Sequence, residues 1–267
     1  MDLERVGIST AAFYPAHLTE DALDAIARLD FRVVEIFLQA DAEYTGHFGA
    51  ILERRRRALG LEVYSIHLYA TLFDLWSFYP RMVRETRDRF YRVLDVASEV
   101  GAQALTWHGL RYGLEDPRLI RAFFESAAWA GQRAQEAGVS LCLENVSWCY
   151  LRAPQHVRAI QRANLPLAFT FDSFQALESQ VPPADLVQAM AGQLKTVHLS
   201  DYRASGPRHL PPGQGEIAWP LLMKAIQDAG YEGPLILETA RVRDPDVLLA
   251  ARAFVRDAWE AGRRGRY

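Results

Sequence analysis

The sequence predicts an α/β protein of the (β/α)8 TIM-barrel class, one domain spanning residues 1–267. Three observations predict it. Short runs rich in β-branched and apolar residues recur eight times, each followed by a longer stretch of helical period. No low-complexity tract or Ser/Gly/Pro linker breaks that alternation. The length of 267 residues suits one such barrel, with a core large enough to need no covalent staples.

Taken in order, the first strand is VGIST at 6–10. The stretch LTEDALDAIARLD at 18–30 reads as a helix opened by a Thr cap and ending before Phe31. VVEIFL at 33–38 is the second strand and EVYSIHL at 62–68 the third. ERRRRALG at 53–60 lies in the helix between them, where four consecutive arginines form a solvated face rather than a nucleic-acid contact. RETRDRFYRVLDVASEVG at 84–101 is a helix that stops on Gly101. The remaining strands are ALTWHG (104–109), SLCLENV (140–146), LAFTFDS (167–173), LKTVHLSD (194–201) and PLILETA (234–240), with helices in the gaps. The tail RRGRY at 263–267 is expected to fray. A doubly wound open sheet is the other arrangement this alternation allows.

Bulk composition removes several function classes. A net charge of -3 exerts no global pull on nucleic acid. No segment approaches the roughly 20 apolar residues that span a bilayer, and MDLERVGIST lacks the apolar centre of a signal peptide. Cys142 and Cys149 form neither a CxxC pair nor a zinc knuckle, so a reducing, cytoplasmic compartment is expected and both thiols are read as inert. No Walker loop, strand–GxGxxG–helix or GxSxG element occurs.

Side-chain parity along the strands then locates the chemistry. Bulky Phe169 and Phe171 face the helices, which turns Asp172 into the barrel. The same test sends Glu144, His198 and Glu238 inward, opposite Leu143, Val197 and Leu237. Tyr64 and Ile66 are read as outward with Ser65 and His67 inward; Leu105 and Trp107 as outward with Thr106 and His108 inward. Strands three to eight therefore each end on an inward His, Asp or Glu, at the face where barrels of this class carry their active sites. Three carboxylates there need a compensating charge. One divalent cation (Mn2+, Co2+, Mg2+ or Zn2+) on Glu144, Asp172, His198 and Glu238 supplies it; a proton-sharing buried network is the alternative. Lys195 and Lys224 are the only lysines. Lys195 has outward parity and Lys224 lies on a helix, so a Schiff-base mechanism lacks its nucleophile.

The segments SIHL, TWHG, LENVSW, FDSFQA, VHLSDY, HLPPGQGEIAW and LILET, in this order and spacing, resemble the xylose-isomerase-like TIM-barrel superfamily, the sugar phosphate isomerase/epimerase group to which endonuclease IV is also related. The resemblance runs from GIST to LILET. In the ketohexose 3-epimerases and the inosose-type and hydroxypyruvate isomerases it implies one divalent metal on a Glu–Asp–His–Glu set, matched by Glu144, Asp172, His198 and Glu238. In endonuclease IV it implies two further zinc ions. His67 and His108 match the histidines of one, with Glu144 bridging. The ligands of the other are replaced by Gln175 and Pro207, leaving His209, so that zinc is not expected to bind. The epimerase pattern also departs here, with Gln175 where a histidine is usual, Tyr150 where a Glu is usual and Ala204 where an Arg is usual. The substrate therefore need not carry over with the chemistry.

The resemblance implies an isomerase or epimerase of a small sugar, sugar phosphate or related keto-polyol in carbohydrate metabolism, working through an enediolate. Glu144 and Glu238 would exchange the proton as base and acid. His67 and His108 are expected either to hydrogen-bond substrate or to hold a second metal. Asp201 is expected to orient His198 or contact substrate, and Gln175 to take the place of a substrate-gripping histidine. His209, with PPGQG at 211–215, reads as a loop over the mouth or a plain turn, and Trp148 as an apolar wall for a sugar face or a packing residue. Glu35 reads as a polar rim contact. The alternative is an endonuclease IV-like phosphodiesterase with a reduced two-metal site; a barrel retained only for binding is a third reading. The partner expected is a small sugar-like molecule, with neither nucleic acid nor membrane, and the sequence does not set the oligomeric state.

Overall fold

The computed structural model describes residues 5–240, 242 and 244–264. Eight parallel strands pair in sequence order and β8 returns to β1, closing a barrel and excluding the open sheet. They are β1 (Val6–Ser9), β2 (Val33–Phe37), β3 (Glu62–His67), β4 (Ala104–Trp107), β5 (Ser140–Glu144), β6 (Ala168–Asp172), β7 (Leu194–Leu199) and β8 (Leu235–Leu237). Around them run α1 (Thr19–Arg28), α2 (Gly46–Leu59), α3 (Pro80–Val100), α4 (Pro117–Glu136) and α5 (Pro154–Arg162). The ring is completed by α6 (Ser173–Glu178), α7 (Pro183–Met190), α8 (Trp219–Asp228) and α9 (Pro245–Arg263). Arg263 ends α9, Arg264 caps it, and 265–267 of the expected frayed tail lie outside the described residues. No described helix is long and apolar enough to cross a membrane.

Local chemistry explains where the helices begin and end. Proline opens α3, α4, α5, α7 and α9, where its fixed φ and missing N–H cost nothing. Gly101 ends α3 at φ +69, a left-handed conformation that a Cβ would strain. The expected Thr cap of α1 is not one. Thr19 is the first helical residue, one place too late to cap, so Leu18 flanks the helix without a side-chain cap, and the Thr19 hydroxyl donates to Glu43 Oε1 at 3.1 Å.

Two apolar compartments result. The outward Leu143, Phe169, Phe171, Val197 and Leu237 pack under the helices, while Val33, Tyr64, Ala104, Cys142 and Ile236 fill the N-terminal end of the barrel itself. Above that plug the interior becomes polar, first with Thr106 and Thr170 joined by their hydroxyls at 3.1 Å, then with the imidazoles and carboxylates. The barrel thus grades from apolar to ionisable along its axis.

Two parity assignments fail, and for one reason. Val34 pairs with Val63 but Glu35 with Ser65, so Tyr64 is an extra residue in a β-bulge. Its ring turns into the barrel, and its hydroxyl donates to Lys195 O at 2.7 Å. Lys195 is itself the extra residue of a second bulge, between the pairs Phe169–Leu194 and Thr170–Thr196. Its ammonium lies 5.9 Å from the Tyr64 ring centroid at the N-terminal mouth. Lysine chemistry is therefore absent from the opposite, C-terminal mouth because Lys195 enters at the wrong end, not because it faces the helices.

Candidate active site

The strands deliver their inward residues to the C-terminal mouth. His67, Glu144 and Asp172 are the last residues of β3, β5 and β6, while His108 and Glu238 follow β4 and β8 directly. His67, Glu144, His198 and Glu238 bring ligand atoms within 4.8 Å of one another and could hold a metal ion. His198 Nδ1 stands 2.9 Å from both Glu144 Oε1 and Glu238 Oε2. Glu144 Oε2 in turn meets His67 Nε2 at 3.3 Å and His108 Nε2 at 2.9 Å. His67 Nδ1 lies 3.2 Å from Leu68 O, which places a proton on that nitrogen, while Nε2 faces Glu144; burial opposes protonation of the ring, but Glu144 raises its pKa.

Asp172 stands beside this group rather than within it. Its Oδ1 caps α6 by accepting the Gln175 N–H at 2.6 Å, and its backbone is clamped by both ends of the Asn145 amide. Its Oδ2 is buried and has no partner among the described residues. An unpaired buried carboxylate oxygen is costly unless a cation or proton meets it.

Electrostatics makes the same demand. Burial would raise the Glu144 pKa, yet hydrogen bonds from His108 and His198 bring it well below the ordinary value. Burial would likewise raise Glu238, but the charge of His198 lowers it. Burial, then repulsion from Glu144 and Glu238, holds Asp172 well above its usual range. Burial opposes protonation of His198, but Glu35, Glu238 and Glu144 together raise it well above the ordinary value. Without a cation, protons fill the centre of the site. No Arg or Lys among the described residues pairs with these carboxylates; their partners are imidazoles. The donor set and the orphaned Asp172 Oδ2 both fit a divalent ion.

Glu35 is not a rim contact. It is fully buried beneath the site, where its Oε2 takes His198 Nε2 at 2.8 Å and the Ser65 hydroxyl at 2.8 Å. A carboxylate on Nε2 fixes the ring and leaves Nδ1 free for a metal. Glu35→Ala is expected to weaken metal affinity by about 10- to 100-fold, read by chelator competition. Unchanged affinity would remove this role.

Asp201, expected to orient His198 or contact substrate, gives its oxygens instead to the loop beside it. Its Oδ2 accepts from Gly213 N at 2.8 Å and Trp219 Nε1 at 2.9 Å, and its Oδ1 from Tyr202 N at 2.9 Å and Ile217 N at 3.2 Å. It pins the PPGQG loop from below, so tightly that a Cβ at Gly215 would collide with Asp201 Oδ1 and Tyr202 O. Asp201→Ala would strand buried donors and is expected to cost about 3 kcal/mol of stability. Chemical denaturation measures this, and a loss below about 1 kcal/mol would contradict the clamp.

Above the floor lies a cavity of about 300 Å3 whose lining includes His108, Trp148, Gln175 and His209. Gln175 Oε1 accepts from Ser147 N at 3.0 Å, which leaves its NH2 as the free donor. Trp148 meets the His108 ring edge-on at 5.4 Å. His209 stacks on Phe174 at 4.2 Å with Nδ1 3.0 Å from Ser200 Oγ. Tyr150 is absent from this lining; it packs among Phe123, Phe124 and His156.

A family model described as xylose isomerase-like TIM barrel matches residues 23–258. The chain belongs to that family. Comparison with curated proteins by sequence found no match. Among solved structures, a D-tagatose 3-epimerase-like protein superposes with a TM-score of 0.83 at 18% identity, over 98% of this chain and 99% of that one. An L-ribulose 3-epimerase gives 0.79 at 18%, over 97% and 96%. A 3-keto-D-glucoside 4-epimerase from E. coli gives 0.75 at 17%, over 95% and 99%. At such identities the likeness is one of fold.

Two lining residues escaped the sequence. Phe37 stacks on His67 at 4.2 Å, and the alternation that sends Glu35 inward sends Phe37 there too. Arg208 reaches the cavity from a loop, where no periodicity signals it.

Proposed function

We propose that the protein is a divalent-metal-dependent isomerase or epimerase of a small sugar, sugar phosphate or related keto-polyol. The observation that carries this reading is the pair of carboxylates, Glu144 and Glu238, meeting at His198 Nδ1 at equal 2.9 Å distances under a small cavity. Sugar epimerases among the structures of like fold support it. Glu144, Asp172, His198 and Glu238 would hold the cation, with His67 beside them. Bound there, Mn2+, Co2+, Mg2+ or Zn2+ supplies Lewis acidity to a carbonyl and its neighbouring hydroxyl, favouring an enediolate.

The chain's own groups do the rest. Glu238 takes or returns the proton through whichever oxygen is not engaged, and Glu144 faces the other side of the same centre. His67 and His108 hold Glu144 through Nε2, and His108 Nδ1, without a partner among the described residues, is left to meet a substrate oxygen. The Gln175 NH2 donates to a hydroxyl, and Phe37 and Trp148 supply apolar walls beside His209. A cytoplasmic location belongs to this reading, in keeping with two free, buried cysteines.

The experiment is metal content per chain, by mass spectrometry on protein purified without chelator or affinity nickel, joined to solvent-deuterium incorporation into ketoses and inososes. About one ion per chain with exchange supports the isomerase. His67 and His108 converge on one oxygen of Glu144, a geometry that also suits a second ion. Two zinc ions per chain, silence in deuterium exchange and nicking of an abasic duplex would replace the isomerase by the endonuclease IV-like phosphodiesterase.

A further inference from the structure

The cavity over the proposed site is acidic at its floor, with Glu144, Asp172 and Glu238, and basic at its rim, with Arg208. Among the described residues Arg208 is the one Arg or Lys in that lining. It is not a freely solvated side chain. Its guanidinium lies 4.7 Å over the Phe174 ring, and Nη1 donates to Glu178 Oε2 at 2.6 Å. The loop that carries it is closed at the neck by mutual backbone bonds between Asp201 and Leu210, of 2.6 and 3.2 Å. One residue on, His209 O accepts the Ala240 N–H at 3.1 Å, which anchors the loop to the end of β8. Stacked on one face and tied at one nitrogen, the guanidinium keeps the rest of its planar set of five N–H donors for something else.

We infer that Arg208 recognises an anionic group of the substrate, a carboxylate or phosphate, at the end of the molecule remote from its keto–hydroxyl pair. This rests on the isomerase reading and narrows it. An anion placed at the floor would meet three carboxylates, whereas at the rim it meets a positioned fork suited to paired oxygens. A substrate with one polarised carbonyl end and one anionic end matches the gradient from acidic floor to basic rim. A neutral polyol would leave the fork unused. The same gradient fixes the direction of entry, reacting carbons first.

The test uses the metal-loaded full chain and three ketoses that differ at one terminal carbon: D-fructose, D-fructuronate and D-fructose 6-phosphate. Binding is measured by calorimetry, and turnover by deuterium exchange from solvent. The expected result is binding of at least one anion about tenfold or more tighter than D-fructose, with Arg208→Met erasing that preference and Arg208→Lys restoring part of it. Preference for the uronate assigns a carboxylate, and preference for the ester a phosphate. Equal binding of all three, no binding of either anion, or a preference that survives Arg208→Met overturns the proposal. Metal content of each variant checks that the floor is intact. Anion preference with no exchange in any ketose would sink the isomerase reading while Arg208 stands, and exchange without preference would do the reverse.

Discussion

Glu238→Gln is expected to lower turnover about 10³-fold while the protein keeps most of its metal. The two glutamates of the site are not equivalent. Both Glu144 oxygens are taken, one by His198 and the other by His67 and His108. Glu238 gives Oε2 to His198 at 2.9 Å, but its Oε1 is 3.8 Å from His67 Nε2, and its side chain is 12% exposed against 2% for Glu144. Glu238 is therefore the carboxylate with an oxygen left to reach a substrate proton. Glutamine has the same shape and keeps a carbonyl oxygen for the cation, but it cannot accept a proton. Deuterium exchange and metal content on the same sample separate the two effects. Near-wild-type turnover by Glu238→Gln would mean that the two-base assignment is wrong. Glu144→Gln makes a less clean test, because it also breaks contacts to three imidazoles.

Where strict alternation held, the sequence was readable down to individual side chains. Period two along β5, β6 and β7 placed Glu144, Asp172 and His198 inside the barrel, because a one-residue error would have set these charged groups under the helices in place of Leu143 and Phe171. It failed at Tyr64 and Lys195, where each strand carries an extra residue that no composition marks. Hydrogen-bond partners were harder still. Asp201 closely follows His198 in VHLSDY, yet its acceptors turn to backbone N–H groups 12 and 16 residues along the chain. Glu35 and His198 are 163 residues apart, and only barrel closure makes them neighbours at 2.8 Å. Arg208 lies beyond sequence reasoning for a related reason: a loop held by Asp201, Leu210 and Ala240 decides where it goes.

Metal affinity should climb steeply with pH. In the metal-free fold burial opposes protonation of His198 but Glu35, Glu238 and Glu144 raise it well above its ordinary value, and burial with its acidic neighbours raises Asp172 well above its own. A cation can use neither His198 Nδ1 nor both Asp172 oxygens until those protons leave. Each proton released adds up to about one decade of affinity per pH unit, so affinity is expected to climb until pH passes the raised value of His198. Chelator competition at about pH 6, 7 and 8, with proton release followed in weak buffer, reads both quantities. Affinity independent of pH would show that these protons do not occupy the metal's place. Stability has its own sign. A raised histidine stabilises the fold below its unfolded pKa and loses that contribution as pH rises through the folded value. Asp172, also raised, costs stability once its unfolded counterpart ionises above 3.8. Glu144 and Glu238, both lowered, act in the opposite sense, and their contribution is lost only as pH falls below 4.5. Chelated protein should therefore weaken on the alkaline side of neutrality, where loaded protein does not, because a divalent ion holds the carboxylates together after the protons have gone.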